Sequence, residues 1–162
     1  MPSAQFENIE GVHPVTGLAT DYLNHYNEIV MLLDLVPSMP ECIEDAVDWR
    51  PKSYCDHFRD SGLAIADGVI TAYEAAPSSY RAAFDETVQV LDEFLEPAIA
   101  LIAQTVDAGK NDQAAHMTAE TLETARGILG RLNGIIHGHA APEQLELTDD
   151  TDAAQALADA MF

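Results

Sequence analysis

From His116 to Gly138 the chain divides by helical face. At about 100° per residue, Leu122, Ala125, Leu129, Leu132 and Ile136 fall on one side, and His116, Glu120, Glu123, Gly127, Gly130, Gly134 and Gly138 fall on the other. The first set predicts a stripe facing a core. The second puts four glycines where no core is. An interior glycine costs a helix about 1 kcal/mol relative to alanine, so this face forgoes roughly 4 kcal/mol of helix stability. Small residues spaced 3, 4 and 4 apart let two helix axes approach closely, which makes Gly127, Gly130, Gly134 and Gly138 the candidate interface.

The same spacing rule divides the rest of the chain. Val15, Leu18, Tyr22, Tyr26, Ile29, Leu33 and Val36 predict a first helix from Pro14 to the residue before Pro37. A short acidic helix follows through Cys42, Ile43, Ala46 and Val47, stopped near Trp49 by Pro51. A helical turn around Tyr54 to Arg59 leads to a helix carrying Ala66, Val69, Ile70 and Tyr73, interrupted by Pro77. Tyr80, Phe84, Val88, Leu91, Leu95, Ala98, Ile102 and Val106 then mark a long helix ending near Gly109, with Pro97 inside it. The short link to the next helix predicts an antiparallel hairpin, about 78–107 against 111–139, some 40 Å long at 1.5 Å per residue. Period-two β-branched runs are missing, so no strand competes. The fold class expected is all-α, a bundle of five to six helices around that hairpin. Residues 1–13 read as an N-terminal surface arm and 14–140 as one bundle domain. Residues 141–162 read as an acidic tail closing in a short amphipathic helix with Ala154, Leu157, Ala158 and Met161 on one side.

Charge narrows the partners. Seven Lys and Arg stand against 28 Asp and Glu, for a net charge of -21, and such a surface repels nucleic acid and anionic membranes. No apolar run approaches the length of a membrane span, and the N-terminus lacks the pattern of a secretory signal. Cys42 and Cys55 have neither disulfide-framework nor zinc spacing and read as reduced thiols in a cytoplasm.

Two strips carry metal-ligand chemistry. Asp21, His25 and Glu28 repeat the 4 and 3 spacing of His116, Glu120 and Glu123. Facing one another, they would offer two imidazoles and four carboxylates, the inventory of a dinuclear iron or manganese site in a bundle, or of a zinc site. His116 with Glu120 resembles the His-x-x-x-Glu pairs of hemerythrin-like domains, while the two copies of Glu-x-x-His that carboxylate-bridged di-iron bundles use are not both present. The bland reading is a solvated face with i to i+4 contacts.

His137, beside Gly134 and Gly138, resembles the exposed histidine of phosphotransfer domains, without the Lys-Gly pair that follows it there. Its bland reading is a histidine favoured at the negative end of a helix. The tail from Ala156 to Phe162 resembles the docking helix of chemotaxis phosphatases, but the last hairpin helix lacks their arrangement of a Gln one turn after an Asp. Cys55-Asp56-His57 is adjacent in sequence, not in helical direction. The cationic, aromatic loop from Trp49 to Tyr54 either holds an acidic ligand or neutralises Asp45, Asp48 and Asp56.

No catalytic residues are assigned. The expectation is a non-enzymatic, cytoplasmic, regulatory or scaffolding protein that associates through helix faces. It is expected to be a homodimer on the glycine face, with the tail as a second place for a protein partner. A metal-binding bundle is the first alternative, with a phosphorelay or chemotaxis component behind it.

Overall fold

A computed structural model describes residues 5–139. Six α-helices follow one another: α1 Asn24–Leu35, α2 Ile43–Asp48, α3 Tyr54–Ser61, α4 Ala66–Ala75, α5 Ser78–Asp107 and α6 Asn111–Ile136. Single 3-10 turns, Thr20–Leu23 and Pro40–Cys42, lead into α1 and α2. The described residues contain no strand, so the chain is an all-α bundle, as the spacing predicts. No helix among them is long and apolar enough to cross a membrane.

The hairpin α5–α6 makes the most extensive helix contact, and α1 packs on α6 and on α2, which packs on α5, closing a ring of four. Its buried centre holds Leu33, Leu91, Leu95, Ile102, Leu132 and Ile135. Threonines share that interior: Thr87, Thr105, Thr118 and Thr121 are buried. Each hydroxyl donates to the carbonyl four residues back, at 2.7 to 2.9 Å. A hydroxyl satisfied by its own helix sits in a core without the desolvation penalty of an unpaired group, which is why these polar positions join the apolar stripe.

The hairpin turn is local chemistry. At its tip Gly109 takes a left-handed φ of 75°, and Lys110 N–H reaches back to Thr105 C=O at 3.1 Å. The end of α6 repeats the pattern. Gly138 has φ 69°, Gly138 N–H bonds Ile135 C=O at 3.0 Å and His139 N–H bonds Gly134 C=O at 3.0 Å. These two bonds form a Schellman cap. The helix therefore stops at Ile136 rather than near His139, and Gly138 belongs to the cap. A β-carbon there would lie 3.7 Å from both Thr16 and Tyr80, so Gly138 faces the protein's own N-terminal segment and leaves the proposed interface.

The first helix also starts later than its spacing predicts. Gly17 has φ 72°, a conformation no helix contains, and its Cα lies so close to the Phe6 ring that a β-carbon would meet it at 2.8 Å. Residues 14–16 form a turn and 17–19 run on as irregular backbone, with Gly17 N–H on His13 C=O at 2.9 Å. Leu18 and Phe6 are buried all the same. The turn is fastened at both sides. Thr16 Oγ1 donates to Ile136 C=O at 2.6 Å, and Ala19 N–H donates to the Tyr54 hydroxyl at 2.8 Å.

Candidate functional site

The polar groups of the N-terminal half gather under the loop from Trp49 to Ser53. Tyr22 O–H donates to Lys52 C=O at 2.6 Å. Tyr26 O–H donates to Asp92 Oδ1 at 2.5 Å, and the two phenol oxygens lie 3.2 Å apart. Trp49 Nε1–H donates to His25 C=O at 3.0 Å, and the His25 ring stacks on the indole at 4.9 Å with Nε2 at 2.6 Å from Arg50 C=O. His57 Nε2 lies 3.0 Å from Asp21 Oδ2. Helices too short to be stable alone are tied by these bonds to α1 and α5.

Beside this network opens a cleft of about 320 Å³ lined by Tyr22, Pro51, Lys52, Tyr54, Tyr73, Phe84, Asp85, Val88 and Asp92, within the size range of small-ligand sites. Its titratable groups are perturbed. Burial pushes the Tyr22 phenol up to about 12. Burial and the bond to Asp85 push Tyr73 up to about 12, its O–H donating to Asp85 Oδ1 at 2.8 Å. Tyr26 and Tyr54 are raised too, chiefly by burial. Burial, with repulsion from Glu96, holds the Asp92 carboxyl above its usual range against the lowering effect of the Tyr26 bond.

The charges of the loop's two cations are spent on other partners. Arg50 donates to Val47 C=O at 2.5 Å and Trp49 C=O at 2.8 Å, covering the C-terminus of α2, where positive charge is favoured. Lys52 Nζ pairs with Asp60 at 3.1 Å. What the loop shelters is acidic and aromatic, which does not suit the acidic ligand that the loop's own charges suggest.

The two His and carboxylate strips are not brought together. The Thr16 bond to Ile136 and the Arg126–Asp34 pair at 3.5 Å set α1 antiparallel to the C-terminal half of α6. His25 thus sits near the level of Arg131, roughly 20 Å along the axis from His116 at 1.5 Å per residue. His25 keeps Glu28 at 3.9 Å, Asp21 pairs with His57, and His116, 75% exposed, pairs with Glu120 at 3.1 Å. Glu123 is exposed on the same face as Glu120. Among the described residues no group of three or more His, Cys, Asp or Glu is arranged to hold a metal. The signal that sequence reading missed is Asp92: it carries no motif, and only the fold sets it opposite Tyr26.

His137 is half-buried at the C-cap of α6, with Nδ1 on Asn133 C=O at 2.8 Å and the rings of His13 and His139 at 5.8 and 5.5 Å. Cys55 is half-buried, and burial raises its thiol pKa, the opposite of an activated nucleophile. Gly127 and Gly130 are exposed and Gly134 half-buried, and a β-carbon on any of the three would meet nothing within 4 Å. The tail, with its predicted amphipathic helix, lies outside the described residues.

No family model, no curated protein and no solved structure matches this chain.

Proposed function

We propose that the protein is a non-catalytic association module, a cytoplasmic helical bundle that pairs with a second copy of itself through the face of α6 carrying Gly127, Gly130 and Gly134. The observation that carries this reading is the open space over those three positions. Gly109 and Gly138 are accounted for by left-handed caps, and Gly17 by its left-handed turn against Phe6. The three on α6 have no such intramolecular reason. Each lowers helix stability by about 1 kcal/mol although a β-carbon there would meet nothing in its own protomer, and a partner helix lying close against the strip supplies the missing contact. The free thiols Cys42 and Cys55 suit a reducing compartment.

Sedimentation velocity over a range of concentrations tests this. The wild-type chain is expected to sediment as a dimer and Gly130→Leu as a folded monomer. A wild-type chain that stays monomeric at high concentration, or a Gly130→Leu chain that dimerises as well as wild type, refutes the reading.

A further inference from the structure

We infer that the cleft between α4, α5 and the loop from Pro51 to Ser53 is a binding site for a short linear diamine, held by an ammonium group at Asp85 and another at Asp92. The two carboxylates line one cleft and stand seven residues apart on α5. That is one strip of a helix face, separated by about 10 Å along the axis. Val88 lies between them, and Phe84, Pro51 and the Tyr22 ring complete the wall. An acceptor at each end with apolar surface in the middle is the complement of two ammonium groups joined by methylenes. Two N–H···O bonds of about 2.9 Å take up roughly half of the interval, which leaves the reach of a chain of a few carbons.

The proton inventory points the same way. The phenol protons of Tyr22, Tyr26 and Tyr73 are spent on Lys52 C=O, Asp92 and Asp85, so Tyr26 and Tyr73 hold the two carboxylates in place. Asp92 is half-buried and no Lys, Arg or His among the described residues forms an ion pair with it. The His25 imidazole draws on it from nearby, but that ring is charged only when protonated, so this partly desolvated carboxylate keeps no permanent counter-charge in the cleft. At the other end the protein shows how such a site takes a cation. The Arg81 guanidinium lies 4.4 Å over the Tyr73 ring with Nε 3.7 Å from Asp85 Oδ2, a cation–π contact beside a carboxylate. Lys52, which lines the cleft, has its ammonium drawn off to Asp60. The net charge of -21 concentrates cations around the whole molecule, so a specific site must be told apart from that atmosphere.

The test is isothermal titration calorimetry of the full chain with putrescine, and with butylamine as its one-headed counterpart. One saturable site is expected, at least tenfold tighter for putrescine than for butylamine. Asp92→Asn and Asp85→Asn are each expected to weaken putrescine at least tenfold. Glu120→Gln, an exposed carboxylate on α6 outside the cleft, leaves it unchanged, and Arg81→Ala, which frees Asp85, tightens it. Asparagine still accepts from Tyr26 O–H, and circular dichroism checks that the variants fold. Val88→Phe, which fills the middle of the cleft and keeps both carboxylates, abolishes the site. Equal affinity for the two amines, full binding by folded Asp92→Asn or by folded Val88→Phe, or an unsaturable heat reduced equally by Glu120→Gln overturns the inference.

Discussion

The α5–α6 hairpin and the N-terminal half of this bundle are stabilised in different ways. The hairpin is local. Its threonine hydroxyls bond four residues back, its turn closes on Gly109 within the neighbouring residues, and the centre it packs around is mainly aliphatic. The N-terminal half has short helices joined by turns, and its bonds run far along the chain: Thr16 to Ile136, Tyr26 to Asp92, Ala19 to Tyr54, Tyr22 to Lys52. Its rings, Tyr22, Tyr26, Trp49, Tyr54 and His57, pack against one another and against Phe84 of α5. The lesson is that two regions of one core respond to different stresses, the first to lost volume and the second to lost protons.

Alkali is the strongest way to separate them. Tyr22 and Tyr73 are pushed up to about 12, and Tyr26 and Tyr54 are raised as well, burial coming first in each case. A group whose folded pKa lies above its unfolded value contributes stability that is complete below the unfolded pKa, near 10, and is lost as pH climbs through the folded value. The rise at Tyr22 corresponds to about 3 kcal/mol; the share of Tyr73, part of which is exposed, is smaller. Between pH 10 and about 12 the tyrosine network is therefore expected to come apart as the phenols ionise. Tyrosinate absorbance and hydrogen exchange followed together check this. Protection should vanish in residues 16–61 before it does in the middle of α5 and α6. Simultaneous loss in both regions contradicts the division.

Volume tests the other side. Leu132 is fully buried in the hairpin core, and Leu132→Ala is expected to cost about 2–5 kcal/mol, read from urea unfolding, with no change in the alkaline transition of the tyrosines relative to the new baseline. Tyr22→Phe keeps the ring but removes the donor to Lys52 C=O. That change is expected to cost about 1–3 kcal/mol, the range for leaving a shielded acceptor unpaired. It should also remove one phenol from the high-pH titration.

This difference also explains which parts were legible in the sequence. The hairpin is read almost to the residue because its helices, turn and apolar stripe are short-range facts: α5 and α6 run Ser78–Asp107 and Asn111–Ile136, against expected spans of about 78–107 and 111–139. The buried threonines escaped, since a polar residue gives no sign that its own helix will satisfy it. The start of α1 was misplaced because Val15 and Leu18 keep helical spacing by coincidence; what unwinds the segment is Gly17 against Phe6, a contact spacing does not encode. Asp92 was illegible for the same reason. Its partner Tyr26 lies 66 positions away. The matching strips at His25 and His116 show the converse, a pattern repeated in sequence that antiparallel register holds apart.

The smallest effect bears on the glycines and divides them by cause. Alanine at Gly134 enters open space on a helix interior, so Gly134→Ala is expected to stabilise the isolated protomer by up to about 1 kcal/mol through helix propensity alone. Alanine at Gly138 must adopt φ near 69°, which costs an L-residue about 1–2 kcal/mol and loosens the cap against which Thr16 fastens the N-terminal turn. Thermal melts of the two variants at low concentration should therefore move in opposite directions from wild type. If Gly134→Ala instead lowers the melting temperature only where the chain is concentrated enough to pair, the glycine is being kept for the partner helix. If both variants lose stability at every concentration, the strip at 134 is constrained within the protomer and the contrast between its glycines disappears.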